Sequence, residues 1–555
     1  MSNLVRVLEP LPAFAEQYLP RASRRGRVAV RTDGARGIML DNGSQWLSLT
    51  GEIANIEEFG ASSSAAASVN NAAIQDALDN APAIFIPPRT FDISAVLTVP
   101  SNRIIIGLGD QSILNWIGVP VLTVMRNVDW VGGNSNIRIL AIRFTGPAFT
   151  GSDKGGWVDM RIVTNLIVRD VRASGNNGSG VFCRQCTKVL VEGCNIGAVG
   201  GQGVDVNSTV DGRIIGNVVD GNNSDAIAVY APNGTQDSEG CVVLGNQVRN
   251  CAGHGIIIGL TTPSMNVLDC TVKGNSIKNA TLVGIVVGGG VINSTVNDNK
   301  VREAQGNAGI KVTAGTHGTP PNGITIAKNG VWDSVGYGIH LDGASSNLRD
   351  IAVQGNRVRG SGEHGIYVEA TDKTVSEISV DRNHVSNSAQ VDPNSDGIAF
   401  AATGAAGVIE ECKAQGNRCW DDQGVKTQRY GMLVYAGGGG VLQQSQFTEN
   451  HLRGNLNTGL NRSGDTNCFI RNNKGYNTEA KGTGTIPNAA TSVVINHGLS
   501  LTPAVQDIKI TPSGTTTNPP GHMWVDTITA TQFTVHCTAD PGAGGLTFGW
   551  QAIVT

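Results

Sequence analysis

Two carboxylates stand at matching places in neighbouring repeats of this chain. Asp342 lies four residues after Gly338, and Glu369 lies four residues after Gly365. The Gly-aliphatic pairs Gly338-Ile339 and Gly365-Ile366 open short apolar-alternating runs, so the fourth residue shares one face of a strand with the second. The second residues are His340 and Tyr367. If the two runs are adjacent strands, the carboxylates stand about 4.8 Å apart. Two carboxylates that close repel, which favours one acid and one base or nucleophile. That division of labour hydrolyses glycosidic bonds. A separation of about 5 Å suits retention and about 6.5–9.5 Å suits inversion. Asp396, just before Gly397-Ile398, offers the longer spacing. His340 and Tyr367 would meet sugar hydroxyls or ring faces. The bland alternative is a solvated acidic pair.

Other positions carry weaker signals. Gly253-His254-Gly255 follows Ser224-Asp225, and Lys311 follows Gly309-Ile310. Three residues after a recurring Asn stand Arg249, Lys278, Arg302, Trp332, Arg359 and Trp420. Stacked like charges cost energy unless an anion meets them. They read as a track for an acidic polysaccharide, or else as a solvated basic face or a subunit interface. Cys183 and Cys186 form a lone CxxC without a second pair. Neither a metal site nor a cofactor is expected.

The elements that position these residues follow from the Asn itself. It recurs at 195, 217, 246, 275, 299, 329, 356, 383, 417, 450 and 473, in steps of 22 (Asn195 to Asn217) to 34 (Asn383 to Asn417) residues. Such a period denotes a solenoid. Apolar residues five and three before the Asn and two after it, such as Ile351, Val353 and Val358, alternate with period two. That is a strand pattern, and the 73 Gly argue against helical repeats. The chain is expected to be all-β: a parallel β-helix with like residues stacked on successive rungs. The Asn is expected in a left-handed turn, its amide bonding the next rung. Cys241, Cys270 and Cys412 replace Ile in an inward column and read as core filler.

Residues 1–55 carry a basic cluster and a hairpin pattern through Val28–Val30 and Ile38–Leu40, and form a separate module with a linker. Residues 69–80 predict a helix with Asn70 as N-cap, covering the open end of the solenoid. The solenoid occupies 56–482. From 483 to 555 the Asn period is lost and alternating strands around Ser492–Ile495, Gln506–Ile510, Phe533–His536 and Leu546–Trp550 predict an antiparallel β-domain. The formal net charge of -4 gives no reason to expect nucleic acid. No apolar run is long enough for a membrane span, and residues 1–20 lack the apolar core of a signal peptide, so synthesis in the bacterial cytoplasm is expected.

Phe59-Gly60-Ala61, Ala73-Ile74-Gln75-Asp76-Ala77-Leu78, Ile84-Phe85-Ile86-Pro87-Pro88, Phe91-Asp92-Ile93-Ser94 and Gly107-Leu108-Gly109-Asp110 follow one another. This succession resembles the opening of the pectate-lyase-like right-handed parallel β-helix superfamily, especially its phage tailspike and tail fibre branch. The C-terminal His497-Gly498-Leu499, Thr502-Pro503 and Phe548-Gly549-Trp550 resemble tail-fibre trimerisation domains. The resemblance implies a homotrimer on the virion, joined to a phage tail or baseplate protein through residues 1–55. Its implied function is depolymerisation of a bacterial surface polysaccharide (capsule, exopolysaccharide or O-antigen), with a polysaccharide lyase or a non-catalytic receptor-binding spike as alternatives. Asp225, His254 and Lys311 also match parts of a polygalacturonase-type site. Ser224, Gln202 and Gly309 replace two of its Asp residues and its Arg.

Overall fold

A computed structural model describes the side chains of residues 53–554, apart from 119–122, 148–154, 176–177, 233–235, 260–264 and 316. Before residue 53 it describes three strands. Val28–Arg31 pairs antiparallel with Gly37–Asp41, as the hairpin pattern predicts, and Trp46–Ser48 continues the sheet. The chain divides into two compact units, Met1–Val335 and Gly336–Thr555.

In the first unit each coil adds one strand to each of three parallel sheets. One sheet runs from Leu97–Val99 to Ala308–Thr313 and a second from Thr90–Ile93 to Gly330–Trp332. The third begins with Ile53–Asn55 paired to Ala83–Phe85. The solenoid therefore starts three residues before the predicted boundary. Its core consists of the columns read from the Asn alignment: Cys241, Val243, Val248, Cys270, Val272 and Ile277 are buried. Cys183 and Cys186 are buried too, and burial pushes the Cys186 thiol up to about 12.

The Asn residues form a buried hydrogen-bonded ladder. The Asn246 backbone N–H and side-chain Nδ2 both donate to Asn275 Oδ1 at 2.9 Å, and Nδ2 also donates to the Ile214 carbonyl. The same pattern links Asn275 to Asn299 and Asn299 to Asn329. Two expectations fail here. The left-handed residue is the one before the Asn: Gly216, Gly245, Gly274, Asp298 and Lys328 have positive φ. That reversal turns the next side chain inward, where only a fully bonded amide is tolerated. Asn195 lies outside the ladder. Cys194 occupies that place and its N–H donates to Asn217 Oδ1.

The predicted helix spans Ala67–Asn80, capped by Ala66 without a side-chain bond. Asn70 is not its N-cap. Its amide is fully buried, accepting from Ser62 N–H and donating to the Asp92 carbonyl. Asn71 Oδ1 accepts from Ser94 and Ala95 N–H, and Gln75 bonds both backbone groups of Thr98. Side-chain amides thus satisfy the strand edge that the first coil would otherwise expose.

In the second unit, parallel strands run from Tyr337–Gly343 through Ile366–Thr371, Ile398–Thr403 and Met432–Ala436 to Leu460–Ser463. Within this unit the Asn ladder joins Asn356, Asn383, Asn417, Asn450 and Asn473. The C-terminal part holds two three-stranded antiparallel sheets around Ile486, Phe533, Val535 and Phe548. The first of these strands is Glu479–Ile486, earlier than the predicted boundary at 483, and Met523–Asp526 is a strand that the alternation does not reveal. Val505–Asp507 forms a 3-10 turn ahead of strand Ile508–Pro512. No helix among the described residues is long and apolar enough to cross a membrane.

Candidate functional site

The second unit places His340 against Tyr367 and Asp342 against Glu369 in one parallel register. Both pairs point away from the core because Ile339, Leu341, Ile366 and Val368 fill the inward positions and are fully buried. His340 Nε2 lies 3.1 Å from Glu369 Oε2. Thr371 Oγ1 donates to Glu369 Oε1 at 3.0 Å, and Thr371 and Thr403 hydroxyls lie 2.8 Å apart. Asp342 Oδ1 accepts the Ala344 N–H at 3.0 Å. One nitrogen of His340 and one oxygen each of Asp342 and Glu369 lie within 4.8 Å of one another. Where no metal site is expected from spacing, these three side chains can hold a divalent cation.

Aromatic rings line the cluster. Tyr337 lies with its ring centroid 4.4 Å from His340, 5.0 Å from Tyr367 and 6.0 Å from His364. His340 and Tyr367 are stacked, 5.2 Å apart and 13° from parallel. Burial raises the pKa of both phenols. Tyr337 is further raised by a hydrogen bond to Glu363, and Tyr367 by Glu369, Glu363 and Asp342. His340 is only 4% exposed, so it serves Glu369 rather than presenting a face to a ligand.

Asp396 is engaged otherwise than expected. It is fully buried and held by Arg429, with Nε–Oδ1 of 3.0 Å and Nη2–Oδ2 of 2.9 Å, and by the Tyr430 N–H at 3.1 Å. Burial raises its pKa, and Arg429 opposes that rise. Glu369 pairs in register with Ala401, so Asp396 does not extend the carboxylate column. It anchors His364 instead, whose Nδ1 accepts the Asp396 N–H at 2.9 Å. Burial, then the charge of Arg429, lowers the His364 pKa to about 4. Arg429 and Thr371 are missed by the sequence reading. Arg429 stands two residues before Gly431, beside the column that supplies Asp396 and His364, and that offset is the signal that could have found it.

In the first unit the comparable face is closed. Asp205, Ala228, Ile257 and Val286 share a register and are all buried, although alternation predicts them outward. Asp225 is occupied: Tyr230 Oη donates to Oδ2 at 2.5 Å and His254 N–H to Oδ1 at 2.8 Å. His254 Nδ1 accepts the Val283 N–H, and burial lowers its pKa. Lys311 joins the strand Ala308–Thr313 on the same sheet.

Arg249, Lys278, Arg302 and Trp332 lie in register on successive strands, with Asp220 in register before Arg249. In the second unit the column is broken. Ser386 follows Arg359 before Trp420, and Arg359 lies 3.8 Å from Asp422.

Comparison with known proteins agrees with this architecture. The sequence family described as "Right handed beta helix region" matches residues 130–272, 168–320 and 315–482. Among solved structures, a mutant tailspike protein of E. coli bacteriophage HK620 in complex with hexasaccharide is 13% identical, with a TM-score of 0.49 over 92% of this chain and 96% of that one. The tailspike protein gp49 of Pseudomonas phage LKA1 is 13% identical, with a TM-score of 0.48 over 90% and 99%. The A-module of Azotobacter vinelandii mannuronan C-5 epimerase AlgE6 is 15% identical, with a TM-score of 0.43 over 76% and 98%. No curated protein sequence matches.

Proposed function

We propose, from the premise that this chain belongs to the right-handed β-helix family, that it is a phage tailspike that binds and depolymerises a bacterial surface polysaccharide by glycoside hydrolysis. The observation that carries the chemistry is the Asp342–Glu369 pair, in register and with oxygens within 4.8 Å, beside a wall of Tyr337, Tyr367 and His364. That closeness fits the shorter carboxylate separation, about 5–5.5 Å, of retaining enzymes.

Glu369 takes the nucleophile's role. Hydrogen bonds to both its oxygens, from Thr371 and His340, fix its direction. It attacks the anomeric carbon while Asp342 gives a proton to the departing oxygen. Asp342 then takes a proton from water, and that water displaces Glu369. Tyr337 and Tyr367 keep their phenolic protons and act as hydrogen-bond donors and as surfaces for sugar rings. Asp396 and Arg429 hold His364 in place. Asp225 has a structural part, because both its oxygens are bonded within the protein, and His254 Nδ1 is bonded to the Val283 N–H.

The spike would act as a homotrimer on the virion, attached to tail or baseplate through residues 1–55. A second reading, a polysaccharide lyase, is favoured by one observation: His340, Asp342 and Glu369 would hold a cation, which would neutralise the carboxylate of a uronate. Depolymerisation of a panel of bacterial polysaccharides separates the readings. New reducing ends without an unsaturated, ultraviolet-absorbing product, lost in Glu369→Gln and Asp342→Asn, support hydrolysis. An unsaturated product that depends on added divalent cation supports the lyase. Tight binding without product would leave a receptor-binding spike.

A further inference from the structure

Another surface of the first unit has the chemistry of a ligand site that hydrolysis does not use. Arg249, Lys278 and Arg302 are exposed and face one another across adjacent rungs of a single sheet. Lys278 has a carboxylate nearby, Glu303 at 3.4 Å. Among the described residues neither Arg249 nor Arg302 makes an ion pair, and Asp220 stands in register beside Arg249 at the start of the column. Arg249 bonds Gln247, and the Arg302 guanidinium lies 5.1 Å from the Trp332 ring centroid. Like charges stacked at rung spacing repel, so the column is at its most stable when an anion lies along it.

Trp332 ends the column within this unit, and its ring lies flat against the backbone. A Cβ added to Gly330 would stand 1.9 Å from Trp332 Cη2, so the glycine makes the space in which the ring lies down. The neighbouring strands carry Lys300 and Ser276 at that position. The backbone of Gly330 has no positive φ, so its missing side chain serves the ring and not a turn. The half-buried indole, with the Arg302 guanidinium over its ring, offers an aromatic surface and a charge to the same sugar ring.

We propose that Arg249, Lys278, Arg302 and Trp332 form a second glycan-binding site, which takes a linear acidic polysaccharide with its carboxylates on the cations and one sugar ring on the indole. The match is periodic: the cations repeat once per rung, and a polymer of acidic sugars repeats its charge along the same axis. Binding here is independent of bond cleavage, so the site stands whether or not Asp342 and Glu369 hydrolyse anything.

The test is affinity electrophoresis of the full chain carrying Glu369→Gln, through gels containing polygalacturonate, dextran or dextran sulfate. The expected result is retardation by polygalacturonate that weakens as salt rises, with none by dextran. Arg302→Ala and Trp332→Ala should each weaken it about tenfold, the value of one lost contact of about 1.4 kcal/mol. Gly330→Ala should act like Trp332→Ala, because the added methyl displaces the ring without changing a charge. Since Trp332 is partly buried, Gly330→Ala also guards against a folding defect. No retardation by polygalacturonate would overturn the proposal. So would retardation that survives Trp332→Ala and Gly330→Ala, or that dextran sulfate reproduces in those variants, since attraction of a polyanion needs no indole. Reducing-end release by the wild-type chain is scored separately, so loss of the depolymerase reading leaves this result intact.

Discussion

Replacing Arg429 by Met should damage both stability and the site, by an amount the structure allows to be worked out. Asp396 is fully buried and receives three hydrogen bonds, two of them from Arg429. Arg429→Met removes those two and leaves a buried carboxylate with only the Tyr430 N–H. Breaking a buried pair on one side costs about 3–5 kcal/mol, because the remaining charge is uncompensated. The Asp396 pKa already lies above its ordinary 3.8 through burial, and it rises further when the opposing Arg429 is gone. A carboxyl whose folded pKa exceeds its unfolded value binds its proton more tightly in the folded state. Stability is then lost as pH rises from 3.8 through the folded pKa. The deficit of Arg429→Met should therefore be smallest near pH 4 and grow to its full size at neutral pH. Adding Asp396→Asn should recover most of it, since the charge is removed while the acceptor for Tyr430 remains. Arg429 also holds the His364 pKa down, so that pKa should rise above about 4 in the variant yet stay below 6.5, since burial is the larger cause. Denaturant unfolding at several pH values and imidazole NMR titration read these effects. A deficit under about 1 kcal/mol, set against the 3–5 expected of a buried pair, or one unchanged by pH or by Asp396→Asn, would refute the reasoning.

Glu369→Gln and Asp342→Asn should each lower depolymerisation by at least about 10²-fold, the scale of a lost acid–base or nucleophilic group, with unfolding midpoints close to wild type; equal activity would remove them from the mechanism. Asn275→Leu should cost about 3–9 kcal/mol, since it strips partners from the Asn246 N–H, the Asn246 amide and the Val243 carbonyl, each worth about 1–3 kcal/mol; denaturant unfolding that shows less than about 1 kcal/mol would contradict the ladder's energetics. His364 has a folded pKa depressed to about 4 from 6.5, so stability should fall as pH drops across that window, by about 2–3 kcal/mol. His364→Gln should flatten that slope, and an unchanged pH profile would show that His364 does not supply it.

The Asn period, the inward aliphatic columns and the shared column of Asp342 and Glu369 were legible because a solenoid converts sequence spacing directly into spatial neighbourhood. A residue four after one Gly lies beside the residue four after the next Gly. Details that depend on which neighbour completes a hydrogen bond were not legible. Asn70 looks like an N-cap by its place before an apolar stripe, yet the nearby strand edge claims its amide. Asn195 looks like a ladder member, yet a one-residue shift puts Cys194 in its place. The basic column continues in sequence to Arg359, yet Ser386 and Asp422 interrupt it.

The sequence alone determined the repeat, the strand period and which residues share a rung, because these follow from alternation and from the geometry of stacked parallel strands. Tertiary structure decided which polar side chains remain available for chemistry. Asp396 and Asp225 are as acidic in sequence as Asp342 and Glu369, but one is buried under Arg429 and the other is bonded by Tyr230 and the His254 backbone. Outward strand positions in the first unit, such as Ile257 and Val286, are covered although their period places them on the surface side. Period specifies direction; burial and partnership depend on loops and neighbouring coils that no local spacing encodes.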